Sequence, residues 1–185
     1  MLANGVEGMA NLKIGDKGIP FQLLGVDGSK HALNDYEGKS GVVVIFSCNH
    51  CPYVRAWEDR MVQIQADYAS QGVQLIAINA NDATQYPDDS FSKMKERARQ
   101  KKFNFPYLHD ETQKVAHAYG AERTPEVFLF DKNLTLRYHG AIDDNYDDPR
   151  AVKEHYLRKA LDAVVAGNPA PTQETKPVGC TVKWK

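Results

Sequence analysis

The chain has 185 residues, of which 42% are hydrophobic and 25% charged, and a formal net charge of -1. That balance suits a globular protein with one core and gives no electrostatic reason to expect nucleic acid or an anionic membrane as a partner. No apolar run reaches the roughly 18 residues of a bilayer span, and Met1 to Lys13 lacks the basic and apolar regions of a signal peptide, so the chain read as complete is expected in the cytoplasm.

In chain order, Phe21, Leu23 and Val26 around Val26-Asp27-Gly28 predict a short hairpin closed by an Asp-Gly turn. Leu33-Asn34-Asp35-Tyr36 predicts a helical turn. Val42-Val43-Val44-Ile45-Phe46 is apolar throughout and mostly β-branched, which reads as a strand buried on both faces. Cys48-Asn49-His50-Cys51-Pro52 follows at once. Val54, Trp57, Met61, Ile64 and Tyr68 then recur at helical spacing, and Gly72 ends the run. Val73 to Asn79 is a second apolar strand, and strand–helix–strand at this spacing implies a right-handed crossover and a parallel pair.

Asn79 to Ser90 reads as a polar loop, and Phe91 to Lys101 as a basic helix with Phe91, Met94 and Ala98 on a thin apolar stripe. Phe103 to Leu108 reads as a short peripheral strand. Asp110 with Gln113 resembles a capping box before a helix that Gly120 ends. Glu126 to Phe130 and Thr135 to His139 predict an antiparallel hairpin turning at Asp131-Lys132-Asn133. Asp148-Pro149 predicts the cap and first turn of an amphipathic helix carrying Val152, Tyr156, Leu157, Leu161, Val164 and Val165. In the tail, Val178, Cys180, Val182 and Trp184 alternate with Gly179, Thr181, Lys183 and Lys185. That period predicts a strand with Cys180 as a small buried thiol on the same face as Trp184; the competing reading makes Cys180 a third redox thiol that resolves the Cys48–Cys51 pair from the tail, and the linker Asn168 to Pro177 is long enough for either.

The chemistry concentrates where the first buried strand hands over to a helix. Unpaired N–H groups and the helix dipole favour negative charge at such a junction, so a thiol there ionises more readily. Two cysteines three apart at that point suit thiol–disulfide exchange. Cys48, ahead of the helix and expected to be the more exposed, is the expected attacking thiol, and Cys51, one turn inside, the resolving one. His50 is expected to favour the Cys48 thiolate as an imidazolium, with Asn49 beside it as a second supporting residue. Half of a zinc site looks the same, but the chain has no second Cys-x-x-Cys and no His-x-x-x-His. A copper or zinc carrier using Cys48 and Cys51 with His50 or a distant histidine remains an alternative of a different class. Glu58 and Asp59 read as solvated helix positions. The acidic loop Asp143 to Asp148 reads as solvated too, because it lacks the glycine and terminal glutamate of an EF-hand. His109, His117 and His139 read as structural or surface residues, and Thr124-Pro125 taken alone as an ordinary proline opening a strand.

Taken in order, Cys48-x-x-Cys51 on a strand–helix junction, a second strand, and Thr124-Pro125 before a hairpin and closing helix resemble the thioredoxin superfamily. Phe21-Gln22-Leu23, Asp27-Gly28, Leu33 to Lys39 and the insertion Asp82 to Asp110 resemble its peroxiredoxin-like branch, the alkyl hydroperoxide reductase and thiol-specific antioxidant group. The resemblance runs from about Ile14 to Gly167. It implies that Thr124-Pro125 is a cis-proline loop facing the dithiol, where its backbone would pair with a substrate strand. The chain also departs from the branch. A peroxiredoxin has Pro and Thr seven and three residues before its peroxidatic cysteine; counting from Cys48 gives Gly41 and Ile45, and from Cys51 gives Val44 and Cys48. The branch's peroxide-binding arginine falls where this chain has Pro125, with Arg123 displaced. The aspartate that thioredoxins carry six residues before the first cysteine is replaced by Val42, so proton handling must differ.

The sequence therefore predicts an α/β thioredoxin-like fold, with a mixed central sheet of four or five strands, helices on both faces and a short N-terminal β-hairpin. It is expected as one domain over residues 1–185, with a core over about 14–167 and a tail over 168–185. The expected activity is thiol–disulfide exchange through Cys48 and Cys51, supported by Asn49, His50, Thr124 and Pro125, with no cofactor and no bound metal. Its expected partners are a disulfide-bearing protein or a small thiol or disulfide, and a separate electron donor. A thiol-dependent peroxidase with antioxidant activity is the alternative within enzymes; there Cys48 would pass through a sulfenic acid that Cys51 resolves.

Overall fold

The computed structural model describes residues 12–185, so most of the stretch read for a leader lies outside the described residues. In chain order the elements are β1 (Gln22–Gly25), β2 (Lys30–Ala32), β3 (Gly41–Ser47), α1 (Pro52–Tyr68), β4 (Val73–Asn79), α2 (Phe91–Gln100), β5 (Tyr107–His109), α3 (Lys114–Tyr119), β6 (Arg123–Thr124), β7 (Glu126–Phe130), β8 (Leu136–Gly140), α4 (Tyr156–Val165) and β9 (Cys180–Thr181). No helix among the described residues is long and apolar enough to cross a membrane.

The three apolar strands make the centre because each can be buried on both faces. β3 pairs in parallel with β4, from Gly41 opposite Val73 to Ser47 opposite Asn79, and antiparallel with β7 on its other side. Alternation along the strands then divides the core in two. Val43, Ile45, Leu75, Ala77, Val127 and Leu129 face one side, where Trp57, Met61 and Ile64 of α1 and Leu157 and Leu161 of α4 fill the space. Val42, Val44, Phe46, Ile76, Ile78, Phe128 and Phe130 face the other, with Ala116 and Tyr119 of α3. Helices thus cover both faces of a mixed sheet, which is the α/β thioredoxin-like fold.

The sheet is wider than the sequence predicts: seven strands in the order β2-β1-β5-β4-β3-β7-β8. The N-terminal hairpin is not a separate appendage, because β1 pairs antiparallel with β5 and continues the sheet. β5 consequently lies between β1 and β4 rather than at the periphery, and it is only three residues long. Proline at 106 supplies no N–H to a ladder, though its carbonyl still accepts from Ala77 at 3.0 Å. Two helix starts also differ. Asp110 does not form the capping box with Gln113; its carboxylate accepts from Ala116 N at 2.8 Å, and Gln113 precedes α3 with φ +64°. Asp148 caps only a 3₁₀ turn over Pro149–Ala151, and α4 begins later, at Tyr156, leaving Val152 outside it.

Candidate active site

β3 ends at Ser47, and the next four residues turn the chain into α1. Pro52 is the first helical residue, a position where its missing N–H goes unneeded. Cys51 is therefore the residue that caps α1, not one a turn inside it as the sequence predicts. Its sulfur packs among Cys48, Val54 and Cys180. These neighbours, the Cys48 thiol first, lower the pKa of Cys51 well below that of an ordinary thiol, against the opposing effect of burial. Cys48 is pushed the other way: it adjoins Cys51, it is buried, and it faces the Asp89 carboxylate. Two thiols that interact this strongly release their protons as a pair. Exposure does not distinguish the two as the sequence predicts, since Cys48 is 1% exposed and Cys51 0%.

Thr124-Pro125 faces the pair, and its peptide bond is cis. Thr124 Oγ1 lies 3.5 Å from Cys48 Sγ, and the Thr124 carbonyl oxygen lies 3.4 Å from Cys51 Sγ, where it can accept from the protonated thiol. Glu126, buried just beyond, holds this loop in place. One of its oxygens accepts from the N–H groups of Glu122 and Arg123 at 2.8 and 2.9 Å, and the other pairs with His139 Nε2 at 2.7 Å. His139 is therefore structural, as are His109, stacked on Phe91, and His117, stacked on Trp184.

The Cys48–Cys51 loop is anchored by a residue with no local signature to single it out. Asp89 closes the 3₁₀ turn Pro87–Asp89 and is fully buried. Its Oδ1 accepts from Asn49 N at 2.6 Å and Asn79 Nδ2 at 3.2 Å; its Oδ2 accepts from Asn81 Nδ2 at 3.0 Å and pairs with His50 Nδ1. Four donors converge on one buried carboxylate, which is how such a charge is tolerated without solvent. Asn49 is held on every side: its amide nitrogen reaches Asp88 O at 2.9 Å, its amide oxygen accepts from Tyr107 OH at 2.8 Å, and its carbonyl from Arg55 Nε at 2.8 Å. His50 stacks on Tyr86 with ring centroids 5.4 Å apart. The two supporting residues therefore differ in kind: Asn49 fixes the loop, while His50 joins Asp89 to the neighbourhood of Cys48.

One atom each of Cys48, His50 and Asp89 lies within 4.8 Å of the others, the spacing of a metal-ligand group. The carboxylate oxygens there are already committed to four donors, and Cys51 is not part of the group, so the carrier site expected from Cys48, Cys51 and His50 is not assembled in that form. Two acidic residues read as solvated are also buried. Glu58 is 1% exposed and forms a bidentate pair with Arg97, whereas Asp59 is exposed. Asp143 accepts from Trp57 Nε1 at 3.0 Å and Arg60 Nη1 at 2.7 Å, which pins the acidic loop to α1.

Cys180 completes the surroundings. β9 pairs antiparallel with β6, placing Cys180 opposite Thr124 and against Cys48, Cys51 and Val54. The predicted partner Trp184 lies elsewhere, its ring 4.0 Å from that of His117.

Compared with known proteins, residues 14–139 match the model of the AhpC/TSA family. The thiol-disulfide oxidoreductase ResA of Geobacillus thermodenitrificans is 32% identical over 120 residues, 65% of this chain and 64% of that protein. The chain thus aligns with less than two thirds of that relative's length. Among solved structures, an uncharacterized conserved protein from Geobacillus kaustophilus superposes with a TM-score of 0.89 at 41% identity, covering 94% of this chain and 93% of that one. A hypothetical protein from Sinorhizobium meliloti 1021 does so with a TM-score of 0.89 at 33% identity, over 95% of this chain and 97% of that one.

Proposed function

The chain belongs to the AhpC/TSA family, and from that premise we propose that it is a thiol–disulfide oxidoreductase working through Cys48 and Cys51. The observation that carries the proposal is the placement of the two thiols: they pack together where β3 hands over to the N-terminus of α1, and both lie against Thr124. Cys51 attacks a sulfur of the substrate disulfide; that S–S bond breaks, the leaving sulfur takes a proton, and a mixed disulfide forms. Cys48 then passes its proton towards His50 and Asp89 and attacks Cys51 Sγ. The second substrate sulfur leaves, and a Cys48–Cys51 bridge closes. This gives Cys51 the attacking role that the sequence assigns to Cys48, because Cys51 holds the cap position at the N-terminus of α1 and its pKa is the one lowered.

The ResA relative supports protein disulfides as the substrate class. Reduction of a protein disulfide such as insulin's by the dithiothreitol-reduced protein tests the proposal. Turnover that is lost in both Cys48→Ser and Cys51→Ser is expected; turnover unaffected by either substitution would overturn it. The peroxidase alternative has no comparable support. Gly41 and Ile45, at the places of the branch's Pro and Thr, are buried in β3 and offer no hydroxyl, and Arg123 Nη1 donates to Gly179 O at 3.3 Å.

A further inference from the structure

The two thiols of the proposed pair are both closed off from solvent, and a disulfide between them would be equally inaccessible to an outside thiol. What lies over them is the tail. Beyond the β6–β9 pairing, Val182 N donates to Glu122 O at 3.0 Å, Lys183 N to Asn81 Oδ1 at 2.9 Å, and Lys185 N to Gln113 Oε1 at 3.0 Å. The approach is close enough to dictate a residue: a Cβ on Gly179 would sit 2.1 Å from the Thr124 carbonyl oxygen, so only glycine lets the tail lie there. The seat is thus specific, and it packs Cys180, opposite Thr124, against the cluster that holds Cys48 and Cys51. Of the three cysteines, Cys180 alone is partly exposed. A thiol kept only for packing would sit among hydrocarbon; this one lies against the cluster that contains both other cysteines.

We propose, resting on the exchange function argued above, that Cys180 is a third redox thiol that takes the disulfide from Cys48–Cys51 and presents it at the surface as Cys51–Cys180. In the oxidised protein the Cys180 thiolate attacks Cys51 Sγ. The Cys51–Cys180 bond forms, the Cys48–Cys51 bond breaks, and the electron pair leaves on Cys48, which takes up the proton that Cys180 gave. No outside oxidant or reductant enters, since the step moves a disulfide without creating or consuming one. The surroundings favour each half. In the reduced protein, burial first and then the neighbouring Cys51 push the Cys180 thiol up; bridging Cys51 removes its negative charge, while Lys183 and Arg123 remain to favour the Cys180 thiolate. Cys48, buried and facing Asp89, is held protonated once released.

The test uses the full chain with Cys48→Ser, treated with oxidised glutathione and mapped by non-reducing peptide mass spectrometry. Cys51 should first form a mixed disulfide with glutathione, and Cys180 should then displace the glutathione to leave Cys51–Cys180. A persistent Cys51–glutathione adduct with Cys180 free would overturn the proposal. Wild-type protein in the same mixture keeps the two claims apart: absence of any disulfide at Cys51, to Cys48 or to Cys180, would refute the exchange function itself, whatever the variant does. In a second measurement, reduced glutathione should open the Cys48–Cys51 bridge of Cys180→Ser about tenfold more slowly than that of the wild type, because attack then waits for the tail to lift. An unchanged rate in a variant with wild-type near-ultraviolet circular dichroism would also overturn the proposal.

Discussion

Asp89→Asn is the substitution that most sharply tests how the site is held together. The carboxylate accepts four N–H groups, from Asn49, His50, Asn79 and Asn81. An amide in its place keeps one oxygen and turns an NH₂ towards two of those donors. If the oxygen serves Asn49 and Asn79, His50 can move its proton to Nε2 and accept at Nδ1, which leaves Asn81 Nδ2 without a partner. One buried donor left unpaired costs about 1–3 kcal/mol, and the remaining bonds lose their charge assistance, so the total is about 2–5 kcal/mol. Asp89→Ala strands all four donors and should cost more than the amide. Urea unfolding of the reduced proteins measures both. A loss below about 1 kcal/mol for the amide, or an alanine variant no worse than the amide, would refute the reasoning.

Three further outcomes follow from the same geometry. Folding lowers the pKa of Cys51, so its ionisation should stabilise the reduced protein fully above about pH 8.5, the unfolded thiol value, with the gain lost as pH falls through the lowered folded value. Urea midpoints across pH for wild type and Cys51→Ala should therefore diverge with rising pH, and parallel curves would contradict the placement of the charge. Gly179→Ala should push the tail off Thr124 and speed iodoacetamide labelling of Cys51; an unchanged labelling rate would mean that the tail does not cover the pair. Hydrogen peroxide should react only slowly with the reduced dithiol, followed by the fluorescence of Trp57 in α1, and a fast reaction typical of a dedicated peroxidase would restore the alternative.

The parts of this molecule legible in the sequence are those with a local signature. Val42 to Phe46 announce a strand buried on both faces because nothing polar interrupts them, and the stripe from Val54 to Tyr68 fixes α1 by period. The cis bond at Pro125 was legible only through resemblance, since an isolated Thr-Pro carries no such signal. What stayed hidden depends on contacts between distant segments. Asp89 meets Asn49 and His50 across about forty residues, from a loop whose composition looks like solvent-facing polar chain. Glu58 reads as surface until Arg97 of α2 arrives to pair with it. Asp148-Pro149 is a sound helix start by local rules, yet the chain completes only a 3₁₀ turn there and delays α4 to Tyr156. Cys180 does lie in a strand, but the face it shares is set by β6, which no periodicity within the tail could reveal.

The most direct measurement of the central claim is the equilibrium of Cys48 and Cys51 with glutathione redox buffers, read by trapping the thiols and weighing the peptides. A thiolate held on Cys51 stabilises the reduced dithiol, so the pair should interconvert reversibly with a potential at the oxidising side of thioredoxin's roughly -270 mV, towards the isomerases' roughly -180 mV. A bridge that stays closed until the buffer falls below about -300 mV would mark a structural disulfide; that result, or failure to form any Cys48–Cys51 bridge, would contradict the account.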